Sequence, residues 1–195
     1  MKNKRRILAV ILLLMLAASA VFSRQTGNPP VTYIEAEAFA GQGLTRVTIP
    51  DSVTHIGEAA FAENQLTSVT IPHGVVSIGD AAFTENRLTS VTLPNSVTHI
   101  GDEAFSYNHL TAVTIPPGVT HIGDLAFTEN RLTRVTISPN VTHIGFGVFS
   151  WNRLSSVTIP DSVVTIDEQA FAYNQLTAVT IPPSSLRSLN RWIQM

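Results

Sequence analysis

The chain contains no cysteine. Disulfides, thiolate nucleophiles and cysteine-ligated metal are excluded, so the fold has to be held by packing and hydrogen bonds. Charge is scarce as well. Asp, Glu, Lys and Arg make up 13% of the 195 residues, against 44% hydrophobic residues. That balance is the reverse of a disordered chain, which cannot bury enough apolar surface to offset its conformational entropy. The length suits one domain rather than two.

Basic charge is missing from most of the chain. Of the twelve Lys and Arg residues, Lys2, Lys4, Arg5 and Arg6 stand at the N-terminus, while all fourteen acids follow residue 30. Without that cluster, eight cations face fourteen acids, a net charge of −6. Such a body argues against a nucleic-acid partner, because phosphate binding needs a basic face. Long hydrophobic runs are lacking too. The apolar run from Ile7 to Leu16 is shorter than the roughly 20 residues of a membrane-spanning helix. It follows the basic cluster and precedes Ala18-Ser19-Ala20. Residues 1–20 therefore read as a secretory signal, with cleavage after Ala20 or, as a second choice, after Ser23. The expectation is an exported chain with no membrane span after signal removal and a short linker over 21–30. There is no HExxH, GxSxG, phosphate loop or dinucleotide fingerprint. No enzyme and no cofactor is expected.

What the chain does have is repetition. Leucine recurs at 44, 66, 88, 110, 132, 154 and 176, always 22 apart, and each opens the pattern L-T-x-V-T-I-P-x-x-V-T-x-I-G-x-x-A-F-x-x-N-x. Six copies are complete over 44–175. A partial copy over 31–43 precedes them as a cap, and a seventh runs over 176–183 before the pattern stops. In each unit Val47 and Ile49 alternate with Arg46 and Thr48, the period of a half-buried strand. Pro50 lacks the N–H to continue a ladder and ends it; repeat five has Ser138 there instead. Val53 and Ile56 point inward from a bent or extended segment. Gly57, Gly79, Gly101, Gly123 and Gly145 are expected at a turn with positive φ, and Asp167 in that column suggests a different turn in repeat six. Ala60-Phe61 should lie on one short helical or 3-10 turn, with Phe61 in the core. One unit cannot bury these side chains alone, so the units must stack as a solenoid with parallel strands. Over 184–195, Leu186, Leu189 and Ile193 have helical spacing and suit a short capping helix or tail.

Asn64, Asn86, Asn108, Asn130, Asn152 and Asn174 share one column. An amide side chain carries both donors and an acceptor, so this column reads as a structural ladder that satisfies turn backbone.

The unit, as in LTSVTIPHGVVSIGDAAFTENR (66–87), resembles the treponemal-type, BspA-like leucine-rich repeats of bacterial surface proteins over about residues 31–183. The carrying motifs are L-T-x-V-T-I-P, V-T-x-I-G and A-F-x-x-N. The family commonly has cysteine near the end of the unit, where this chain has Asn64 and its equivalents. The resemblance implies a curved, right-handed leucine-rich-repeat solenoid, mainly β, with short parallel strands on one face and loops and short turns on the other. It also implies a secreted or surface protein, some relatives of which act in adhesion.

The outward columns hold the candidate sites. Arg46, Ser68, Ser90, Arg134 and Ser156, with Thr48, Thr70, Thr92, Thr114, Thr136 and Thr158, should line the strand face and form a candidate binding face for a protein partner. Asp51, His73, Asn95 and Asp161 follow just past the strands. The threonine column and the aromatics Tyr107, Trp151 and Tyr173 raise glycan binding as an alternative. End-to-end self-association as a structural protein is another, alongside a simple monomer. His99, His121 and His143 fall in consecutive coils with His55 further along the column, and imidazole is the commonest metal ligand. They are the metal candidates, set against an ordinary solvated column. Glu58, Asp80, Asp102 and Asp124 read as a solvated acidic column.

Overall fold

The computed structural model describes residues 30–181. The signal, nearly all of the linker and the tail over 184–195 lie outside the described residues. Each coil of 22 residues contributes up to two short strands. The outward strand-face segments are β3 (Val69–Thr70), β5 (Val91–Thr92), β7 (Ala112–Thr114), β9 (Arg134–Thr136), β11 (Ser156–Thr158) and β13 (Ala178–Thr180). The segments after the proline are β1 (Tyr33–Ile34), β2 (His55–Ile56), β4 (Ser77–Ile78), β6 (His99–Ile100), β8 (His121–Ile122), β10 (His143–Ile144) and β12 (Thr165–Ile166).

The two sets behave differently. The post-proline segment, expected only as extended or bent chain, builds the continuous sheet: seven parallel strands in the order β1-β2-β4-β6-β8-β10-β12. Its register places Ile34 beside Ile56, Ile56 beside Ile78, and so on to Ile166. The L-T-x-V-T-I segment, expected as the main sheet, pairs only in twos: β3 with β5, β7 with β9 and β11 with β13. In the first coil, Arg46–Thr48 is not a strand at all.

The glycine column accounts for this difference. Gly57 N–H donates to the Ile34 carbonyl at 2.8 Å, and Gly79, Gly101 and Gly123 repeat the bond at 2.8–3.0 Å. A Cβ on Gly57 would lie 2.7 Å from the Ile34 oxygen, and one on Gly123 would lie 2.5 Å from the Gly101 carbonyl carbon. Coils press together at this edge because no side chain intervenes. These glycines do not have positive φ, contrary to expectation. The left-handed positions come two residues later, at Ala59, Ala81, Glu103, Leu125, Gly147 and Gln169. Asp167 keeps the coil-to-coil bond, its N–H donating to the Ile144 carbonyl at 2.9 Å, and Gln169 keeps the left-handed backbone. Repeat six therefore turns like the others.

No helix occurs among the described residues. The expected helical turn at Ala60-Phe61 is a bend with single i→i+3 bonds, such as Ala62 N–H to the Ala59 carbonyl at 3.1 Å. Left-handed residues at Ala59 and Glu63 interrupt helical propagation. Their N–H groups point to the next coil instead: Ala59 to the Asp80 carbonyl at 2.7 Å and Glu63 to the Thr84 carbonyl at 3.0 Å.

The core is a set of columns. Phe39, Phe61, Phe83, Phe105, Phe127, Phe149 and Phe171 stack face over face, with centroids 5.2–5.7 Å apart. All are buried. Such contacts add about 0.5–1.5 kcal/mol each beyond area burial. The leucine, valine and isoleucine columns pack around them. The partial coil over 31–43 supplies Ile34 and Phe39, both buried, with Phe39 stacked on Phe61.

Candidate functional site

On the strand face every candidate binding residue is exposed: Arg46, Thr48, Ser68, Thr70, Ser90, Thr92, Thr114, Arg134, Thr136, Ser156 and Thr158. Period-two alternation puts them there, since Val69, Val113 and Val157 on the same strands are buried. The structure does not treat the face uniformly. Strand β9 pairs back to β7, and β11 pairs forward to β13, so β9 and β11 belong to separate ladders. A groove of about 500 Å³ lies over this seam. Arg134, Thr136, Ser156 and Thr158 edge it, Val135 and Val157 lie between them, and Pro139 and Pro160 stand at one end. Four of the eleven sequence candidates are thereby brought together, and the remaining seven are spread along the face. The groove itself was missed. The repeat pattern carried no signal for it, since β9 and β11 read like the other strands of the face.

The asparagine column makes the same bonds in every coil. Asn64 Oδ1 accepts from Leu44 N–H at 2.8 Å, and its Nδ2 donates to the carbonyls of Phe39, Phe61 and Ala62 at 2.8–3.0 Å. Asn86, Asn108, Asn130, Asn152 and Asn174 likewise receive the N–H of the leucine 20 residues before them. Each amide also donates to the preceding phenylalanine carbonyl. Their polar atoms are thus committed to backbone.

The acidic column is more than solvated. Asp80 Oδ1 accepts from Asp102 N–H at 2.9 Å, Asp102 Oδ1 from Asp124 N–H at 2.8 Å, and Asp124 Oδ1 from Phe146 N–H at 2.7 Å. Three short carboxylates in consecutive coils were the sequence signal for this ladder. A second hydroxyl column, unforeseen, pairs Thr84 with Ser106 at 2.5 Å and Thr128 with Ser150 at 2.6 Å.

The histidines lie on the seven-stranded sheet, away from the groove strands. His121 and His143 stack with centroids 4.5 Å apart and planes 11° apart. His143 Nε2 is 3.1 Å from Asp167 Oδ2, and its Nδ1 meets the Thr165 hydroxyl. His99 precedes them in the column, and His55 instead stacks on Tyr33. Burial holds the His121 pKa below its ordinary value, and the neighbouring His143 pushes the same way, against the opposing pull of Asp124 and Asp102. Rings stacked this way direct their nitrogens side by side rather than toward one point. Among the described residues, no group of three or more His, Cys, Asp or Glu is placed to hold a metal ion. At the turn edge, Trp151 and Tyr173 stack at 4.1 Å while remaining 51% and 59% exposed.

Stacked 22-residue coils with a leucine–valine–isoleucine–phenylalanine core and an asparagine turn ladder define a leucine-rich-repeat solenoid. The family model for the BspA-type leucine-rich repeat region matches residues 32–153 and 142–193 in six copies. The chain belongs to this family. It is similar to a leucine-rich repeat protein from Bacteroides ovatus, at 32% identity and a TM-score of 0.72, over 80% of this chain and 42% of that one. The pneumococcal vaccine antigen PcpA shares the fold at 23% identity and a TM-score of 0.57, over 80% of this chain and 44% of that one. So does a leucine-rich repeat protein from Eubacterium ventriosum, at 24% identity and a TM-score of 0.51, over 76% and 50%. The chain thus spans half or less of each of these proteins. No curated protein sequence matches it.

Proposed function

We propose that this chain is a non-catalytic protein-binding module, displayed at or released from the cell surface, that engages its partner through the strand face. The observation that carries this reading is the contrast between columns. The inward columns repeat and are consumed by packing, while the outward column Arg46, Ser68, Ser90, Ala112, Arg134, Ser156, Ala178 varies from coil to coil on an open surface. Repeat proteins place partner-specific residues at such positions. The export signal read at residues 1–20 and the family's resemblance to surface proteins support the location, with adhesion to host, matrix or neighbouring-cell proteins as the working role.

The test is surface plasmon resonance of the chain against a panel of extracellular matrix proteins. A binder should be lost on the double substitution Ser90→Arg and Thr114→Arg, and kept on Val164→Arg, a 71% exposed position beside the seven-stranded sheet. Equal binding by all three proteins would remove the strand face from the reading.

Glycan binding is a second reading, favoured by the exposed Trp151–Tyr173 pair, because aromatic faces receive the C–H face of sugars. A glycan array with wild type and Trp151→Ala separates the two: a sugar signal that vanishes in the variant supports this second reading.

A further inference from the structure

The seam between β9 and β11 has a chemistry that the rest of the strand face lacks. Arg134 is the one charged residue lining the groove, and no acid lines it. Among the described residues its guanidinium makes no ion pair and no hydrogen bond. An exposed, unpaired arginine needs no partner for its own sake, since water solvates it well. Its setting is what counts here. It stands on the outer face, with the hydroxyls of Thr136 and Ser156 beside it, while the side chains of Val135 and Val157 turn into the core. A guanidinium presents a planar fork of donors that matches a carboxylate in two-point contact. Hydroxyls at the rim accept and donate to backbone amides.

The other break between ladders, between β5 and β7, carries Ser90 and Ala112 in the arginine's column and has no charge there. Arg46, the other arginine of the column, stands in a coil with no strand at that position. Cation and broken ladder coincide only at β9–β11. The volume, about 500 Å³, falls in the usual range for recognition pockets and suits a few residues of extended chain rather than a folded domain.

We infer that this groove binds an extended peptide segment of a partner protein, with a Glu or Asp carboxylate on Arg134 and the peptide's backbone amides on the hydroxyls of Thr136 and Ser156. The inference rests on the protein-binding reading above and adds the partner's local chemistry. Charge complementarity selects the occupant: Arg134 is the one charged residue lining the groove, so a carboxylate is the group that pairs there. The lining also separates peptide from sugar. No aromatic ring lines the groove, so a pyranose has nothing to stack on. The aromatic pair lies instead at the turn edge.

The experiment uses the purified chain and fluorescence polarisation with labelled octapeptides, each carrying one central Glu flanked by valine, serine and proline, and their Gln twins. The expected result is saturable binding of Glu peptides, at least tenfold weaker for the Gln twins. Arg134→Gln should weaken the Glu peptides by the same factor, Arg134→Lys by less, and Arg87→Gln, at the turn edge away from the strand face, not at all. Arg134 is exposed, so its variants keep the wild-type melting temperature. Equal binding of Glu and Gln peptides, equal loss on Arg87→Gln, or no binding at all overturns the inference. Displacement of the peptides by sialyllactose but not by unlabelled peptide also overturns it, in favour of an acidic sugar. If a matrix protein found in the resonance assay is lost on Ser90→Arg with Thr114→Arg yet kept on Arg134→Gln, this inference fails while the protein-binding reading stands.

Discussion

Each asparagine of the ladder serves two coils at once. Asn108 takes the Leu88 N–H at the start of its own 22-residue unit and gives to the Phe83 carbonyl of the unit before, while also donating to the Phe105 and Ser106 carbonyls of its own unit. Leaving a buried backbone donor and acceptor unpaired costs about 1–3 kcal/mol per group. Asn108→Ala should therefore lower the melting temperature measured by circular dichroism, and by more than Asn174→Ala, whose site is only half-buried and open to water. Equal effects would mean that solvent already reaches the inner ladder. The column was legible because six identical polar residues at one spacing have a structural explanation ready. The histidine pair was less so. The sequence aligned His99, His121 and His143 equally, and the fold stacks only the last two. His121 has its folded pKa lowered below the ordinary 6.5, first by burial and then by His143. The unfolded chain then binds the proton more tightly, so its contribution is complete above 6.5 and is lost as pH falls below it. The melting temperature of wild type should drop between pH 7 and pH 5 more steeply than that of His121→Gln. Parallel profiles would remove His121 as the cause.

At the scale of the element, the glycine edge sets the spacing between coils. Glycine was recognised in the sequence, but two reasons compete for any glycine, a left-handed backbone or close approach, and one-letter patterns do not separate them. The coordinates assign close approach. A Cβ at Gly101 would sit 2.6 Å from the Asp80 backbone nitrogen, whereas at Gly74 the nearest atom is the Asp51 oxygen at 3.2 Å. Gly101→Ala must push two coils apart, while Gly74→Ala needs only a small local shift. The first should lower the urea midpoint markedly and the second only slightly; the reverse order would show that the coils are not in contact there. The phenylalanine column makes a second element-scale prediction. Phe105 touches Phe83 at 5.3 Å and Phe127 at 5.5 Å. Phe105→Ala should cost about 3–5 kcal/mol, the usual range for truncating a buried phenylalanine, read from the same urea titration.

For the whole molecule, stability is a sum over coils and their interfaces. Deleting residues 88–109, one full period, keeps every column in register and should leave a folded chain with a lower melting temperature. Deleting residues 88–98, half a period, sets the Leu66 coil against chain of the wrong phase and should abolish the cooperative transition in circular dichroism. The 22-residue period, the inward columns and the solenoid class were determined by the residues alone. A column repeated in every coil has the same neighbours wherever it occurs, so its burial follows from local alternation and stacking. Which strands join into one sheet, where the ladder breaks, which histidines meet and where a groove opens were decided only by the tertiary structure. Those features depend on the distance between successive coils, which many contacts set together and no single repeat encodes.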